Sequence, residues 1–191
     1  LTLGTPKQRL VLAMLLCNAG QPVSLDLLMD ALWDQRPPPP ALHNVYLHIH
    51  QLRRLLGAAT IVGRGRSGYL LQAFSSDIDA GQFTNLAEIG SQALAAGDVA
   101  RASHQLHRAL ALWRGNAFAD LDNPPALAPD IAQLSEARLT ALERRMDADL
   151  RLGRHMDLVS ELTTLVAEQP YRERFQAQLM LALYRSGRRV E

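Results

Sequence analysis

Residues 43–57 read HNVYLHIHQLRRLLG, which places three histidines, two side-chain amides and two adjacent arginines in one segment with no acid. Such side chains could ligate a metal, meet water, or lie against a surface that offers hydrogen-bonding edges and negative charge. Zinc favours histidines at i and i+4 with a carboxylate or cysteine close by. His43, His48 and His50 do not have that spacing, so no metal is expected. A face that only meets water seldom carries Leu and Tyr, and it usually mixes in Glu or Asp for intrahelical pairs. The inventory fits readout of a DNA major groove. Asn44 or Gln51 can pair bidentately with adenine, Arg54 with guanine or phosphate, and Leu47 can meet a thymine methyl.

A helix with one buried stripe would hold these groups outward. At about 100° per residue, Leu42, Val45, Ile49, Leu52 and Leu56 share a core face. Opposite them fall His43, Leu47, His50 and Arg54, flanked by Asn44 and Gln51 on one side and Tyr46 and Arg53 on the other.

The elements around this helix can be read in order. Thr5 is an N-cap, Pro6 suits the first helical position and Gln8 stands where a capping box needs it, which predicts a buried helix to about Ala19 with Gly20 as its left-handed cap. A short connection, QPV, leads to a second N-cap, Ser24, and the helix LDLLMDALW. The run DQRPPPP cannot be helix interior and predicts a stiff exposed loop. After Gly57, Thr60–Val62 and Tyr69–Leu71 read as a β-hairpin whose tip carries Arg64 and Arg66, able to reach a minor groove or phosphates. Three helices followed by a basic hairpin is the order of a winged helix-turn-helix. Thr5, Lys7 and Ser24, at helix starts, are either phosphate contacts or plain caps.

From about residue 76 the texture changes to Ala/Leu-rich amphipathic helices. Gly97, Gly153 and Gly187 each follow an apolar helix, and the last two are 34 residues apart, the tetratricopeptide (TPR) period. Ala102, Ala109 and Pro170 fall where that repeat needs close packing and a helix end, and residues 115–130 fit as an inserted loop. The expectation is a mainly α protein: a winged helix-turn-helix domain over 1–75 and an all-α TPR-like domain over 76–191.

Charge divides along the same line. Residues 1–75 hold seven Lys/Arg against three acids, a net of +4, and the remainder holds 13 against 16, a net of −3. A basic module joined to an acidic one suits a nucleic-acid binder with a regulatory partner. Cys17 lies in an apolar run and reads as a buried small hydrophobe, and no targeting segment is present, so a cytoplasmic, nucleoid-associated protein without membrane contact is expected. There is no GxxxxGK loop, no G-x-S-x-G elbow and no paired-carboxylate or Cys/His constellation, so neither catalysis nor a cofactor is expected. His104 and His107, one turn apart, lack a third ligand and read as surface or packing residues. A TPR scaffold or ligand sensor, its winged helix devoted to protein contacts, is the alternative. The absence of acids from His43 to Ser75 weighs against it.

GTPKQRLVLAMLL, PVSLDLLMDALW, NVYLHIHQLRRLLG and GYLL together resemble the OmpR-type domain of the Streptomyces antibiotic regulatory proteins (SARPs). ALALWRG, DADLRLGRH and EQPYRERFQAQLMLALYRSGR resemble their bacterial transcriptional activation domain. The resemblance implies an activator of secondary-metabolite genes that binds direct repeats near a −35 element as a homodimer or side-by-side protomers and recruits RNA polymerase with its sigma factor. By matching positions it turns His43, Asn44, Leu47, His48, Gln51 and Arg54 toward bases, Arg53 toward phosphate, and Arg64 or Arg66 in from the wing. It assigns polymerase contact to the loop beginning Asp34, Gln35, Arg36 and Pro37. It also implies a sheet before residue 1 and a further repeat helix beyond Glu191.

Overall fold

The computed structural model describes residues 4–34, 36–122 and 124–187, without the Arg66 side chain. Two compact units form: residues up to Gly81 with Gly115–Ser135, and Gln82–Arg114 with Glu136 onward.

In the first unit, α1 (Pro6–Cys17) starts where Thr5 Oγ1 accepts the Gln8 amide N–H at 3.3 Å. It stops two residues short of the expected end, with Asn18 as the cap residue, and Gly20 then takes φ +79°. QPV is not merely a connection. Pro22–Val23 form β1, an edge strand on which a proline's missing N–H costs no ladder bond. Two residues cannot display the alternation that announces a strand, so this one was invisible in sequence.

Ser24 caps α2 (Leu25–Trp33), its Oγ accepting from the Leu27 N–H at 3.1 Å, and Asp34 ends it in the left-handed region at φ +48°. After the prolines comes α3 (Ala41–Leu56), closed by Gly57. Its buried stripe is Ala41, Val45, Ile49 and Leu52. Leu42, expected in the core, is 41% exposed, because Ala41 occupies the stripe and Leu42 lies a further ~100° round the helix.

The hairpin is β2 (Ile61–Gly63) and β3 (Tyr69–Leu71), with β3 between β1 and β2 and all pairs antiparallel. Gly68, at φ +91°, is required here: a Cβ would strike the Val23 carbonyl of β1. The core joins Val11, Leu15, Leu28, Val45, Ile49, Leu52, Ile61 and Leu71. It also takes Leu121 and Leu127 from the segment expected to be a loop of the helical domain, while Arg9 pairs with Asp120 at 3.1 Å. Apolar Phe118, Leu121, Leu127 and Ile131 give that segment a face to bury, which its prolines and glycine had obscured.

The helical unit is built from α4 (Asp79–Ala95), α5 (Val99–Leu110), α6 (Ala128–Arg151), α7 (His155–Glu168) and α8 (Glu173–Arg185). The first three residues of α4 and the start of α6 belong to the first unit. Gly97, Gly153 and Gly187 follow α4, α6 and α8 with φ +83°, +84° and +78°, one cap used at each repeat. Ala102 and Ala109 are fully buried, and Gly90 of α4 lies so close to Leu106 of α5 that a Cβ would overlap it. Met146, Leu162 and Phe175 centre the packing of α6, α7 and α8.

Candidate nucleic-acid interface

Burying Ala41, Val45, Ile49 and Leu52 fixes what α3 shows to solvent. His43, Leu47, His50, Gln51 and Arg54 are exposed on the far side, joined by Tyr46. Asn44 and His48 are half-buried on one flank. Val45, Ile49 and Leu52 each contribute about 1.5–3 kcal/mol by burial, so this orientation is held firmly. Among the described residues Arg54 forms no ion pair, and no acid occurs between His43 and Ser75 to neutralise it.

Arg53 has a different position. Its Nε–H donates to the Ile61 carbonyl at 2.8 Å and its guanidinium stacks over Tyr69 at 5.5 Å. It thereby ties α3 to both strands of the hairpin. Burial pushes the Tyr69 phenol above its usual pKa, with Arg53 countering and Tyr46 reinforcing the shift. The family resemblance implied a phosphate role for Arg53 and gave no hint of this anchoring; no local signal distinguishes it from Arg54, because the Ile61 carbonyl lies eight residues away. At the tip, Arg64 is exposed beside a short 3-10 turn, Gly65–Ser67, and its N–H donates to the Gly68 carbonyl at 2.8 Å. The Arg66 side chain lies outside the description.

The helix starts are also occupied. Thr5 and Ser24 hydroxyls accept the amide bonds given above, which engages them as caps. Lys7 sits over the Trp33 ring at 4.5 Å. Desolvation lowers the His48 pKa, the Lys7 charge lowers it further and a side-chain hydrogen bond with Gln51 partly offsets both. His48 Nδ1 is buried without a hydrogen-bond partner among the described residues. With Nδ1 buried, the ring has its other nitrogen alone to offer a groove. In the proline loop Arg36 and Pro37 are exposed after the left-handed Asp34, while Gln35 lies outside the described residues.

Several cations of the helical unit are matched by acids. Asp149, 1% exposed, accepts from Ser103 Oγ at 2.7 Å and Arg154 Nη1 at 2.8 Å, with Arg145 at 3.8 Å and His107 Nε2 at 3.5 Å. Arg145 also reaches Glu161 at 2.5 Å, Arg172 pairs with Glu136 and Glu143, and Arg174 with Asp147. His107 Nδ1 lies 2.9 Å from the Ser103 carbonyl, the packing role its isolation suggested. Cys17 is half-buried, and its thiol is pushed up to about 12 by burial and by Asp130. No helix among the described residues is long and apolar enough to cross a membrane.

Comparison with known proteins bears on both units. Residues 2–71 match the family described as transcriptional regulatory protein, C terminal, and residues 78–191 match the bacterial transcriptional activator domain. Regulatory protein DnrI of Streptomyces peucetius is 40% identical over 95% of this chain and 71% of its own length. Regulatory protein AfsR of Streptomyces coelicolor is 41% identical over 100% of this chain but only 19% of its own. A solved structure of Mycobacterium tuberculosis EmbR, in complex with a low-affinity phosphopeptide, superposes with TM-score 0.93 at 36% identity, covering 98% of this chain and 51% of EmbR.

Proposed function

The chain belongs to the SARP family of transcriptional regulators, and from that premise we propose that it is a sequence-specific DNA-binding activator of secondary-metabolite genes. The observation that carries this reading is the exposed, acid-free face of α3, with Gln51 and Arg54 turned outward and Arg64 at the tip of a wing anchored to the same helix by Arg53.

The mechanism has three parts. Uncompensated guanidiniums attract the duplex and release counterions, so affinity falls steeply with salt. The helix enters the major groove, where His43, Leu47, Gln51 and Arg54 meet base edges from the centre of the face and Asn44 and neutral His48 from its flank. The wing brings Arg64 and Arg66 to the neighbouring groove or its phosphates. Direct repeats near a −35 element would seat protomers side by side and present the Asp34–Pro37 loop to RNA polymerase and its sigma factor. In that position a loop stiffened by prolines needs little ordering on contact. No catalytic step is involved.

The test is DNase footprinting on a duplex that the protein itself selects from random DNA, followed by transcription in vitro from a promoter carrying that site. The expected result is protection of two direct repeats and stimulated transcription, with Arg36→Ala retaining the footprint and losing the stimulation. No protected sequence at low salt would overturn the reading.

A further inference from the structure

A groove of about 360 Å³ opens between α6 and α8, within the roughly 300–1,000 Å³ that small-ligand clefts occupy. Its lining combines apolar Leu150, Ala177 and Leu181 with Arg151, Arg174 and Arg185. Asp147 is the acid in this lining, and it is already satisfied: it pairs with Arg174 and accepts from Gln178 Nε2 at 2.6 Å. Arg151 and Arg185 thus line the groove with no carboxylate partner among the described residues, and Arg185 reaches the Leu150 carbonyl at 3.4 Å. Gln178, 4% exposed, uses its amide N–H groups on Asp147 and the Glu143 carbonyl, which fixes this wall in place.

We propose that the α6–α8 groove binds a small amphipathic organic anion, its acidic head between Arg151 and Arg185 and its apolar body along Leu150, Ala177 and Leu181. Charge complementarity selects the head, since two unmatched guanidiniums beside apolar surface attract a carboxylate, sulfonate or phosphate more than any neutral group. The volume holds one such molecule rather than a folded partner. This ligand site is independent of the DNA-binding reading, which could fail without affecting it.

The test uses anilinonaphthalene sulfonate as a fluorescent probe of the intact chain, with decanoate and decanol as competitors. Wild type is expected to bind the probe saturably at one site and to release it to decanoate but not to equal decanol. The double variant Arg151→Gln with Arg185→Gln is expected to bind about tenfold more weakly or worse. Leu181→Glu, at a position 37% exposed and therefore tolerant, is expected to abolish binding with an unchanged unfolding midpoint, and it decides the matter should the double variant fold poorly. Absence of saturable binding, equal competition by decanol, or wild-type affinity in whichever of these variants folds would each overturn the proposal.

Discussion

Arg54 projects from an α3 face that carries no carboxylate, whereas Arg145, Arg154, Arg172 and Arg174 of the helical unit each end on an aspartate or glutamate. The residue type is the same and its role is opposite. Those four arginines consolidate packing, most plainly around Asp149, where Ser103, Arg145 and Arg154 converge on one buried carboxylate, while Arg151 and Arg185 of the same unit have no carboxylate partner among the described residues. On α3 and the wing arginine remains available to something outside the chain. Net charge, at +1, conceals the contrast entirely. Availability is a local property, set by which acids lie within a few ångströms, and Arg9 and Arg53 show that even the first unit commits some cations internally.

The hardest blow to this comparison should come from Asp149→Ala. Removing a buried carboxylate strands its partners, at a cost of about 3–5 kcal/mol, and calorimetry should show a midpoint at least about 10 °C lower. A drop below about 3 °C would mean that the network is not structural. Arg54→Ala should do the reverse, leaving the midpoint in place and weakening DNA binding about tenfold or more. If Arg54 meets phosphate instead of a base, the log–log salt slope falls by about one and sequence preference survives. Arg53→Gln tests the intermediate case. It should cost about 1 kcal/mol and speed hydrogen exchange at Ile61–Leu71, a signature that loss of a phosphate contact alone would not give.

The smallest effect concerns pH. The folded state holds His48 neutral and lowers its pKa, so the unfolded chain binds that proton more readily. The corresponding stability is complete above about pH 6.5 and falls as pH drops through and below that value. Wild type should lose slightly more stability than His48→Gln between pH 7 and pH 5.5, measured by urea melts. Equal losses would remove His48 from the account.

Much of this was legible in sequence wherever a signal repeats or terminates something. The N-caps Thr5 and Ser24, the buried Val45–Ile49–Leu52 stripe, the hairpin (read as 60–62 with 69–71, one residue short of β2's observed place at 61–63) and the 34-residue glycine spacing all follow from local rules. What escaped depends on residues distant in sequence. β1 is two residues long and exists only because β3 pairs with it. The 115–130 segment reads as loop until Leu121 and Leu127 are seen in the first unit's core. Arg53 differs from Arg54 only because a carbonyl and a ring are folded over it. Leu42 shows that a wheel drawn one position off the stripe miscasts its edge.

The most direct measurement is fluorescence anisotropy of wild type and Gln51→Ala on a protein-selected repeat duplex and on its scrambled counterpart, titrated with salt. A log–log slope of about −3 to −5 per protomer is predicted for wild type, with the preference for the selected duplex erased by Gln51→Ala. Wild type that binds both duplexes equally, or neither at low salt, would contradict the assignment of α3 as the element that reads DNA.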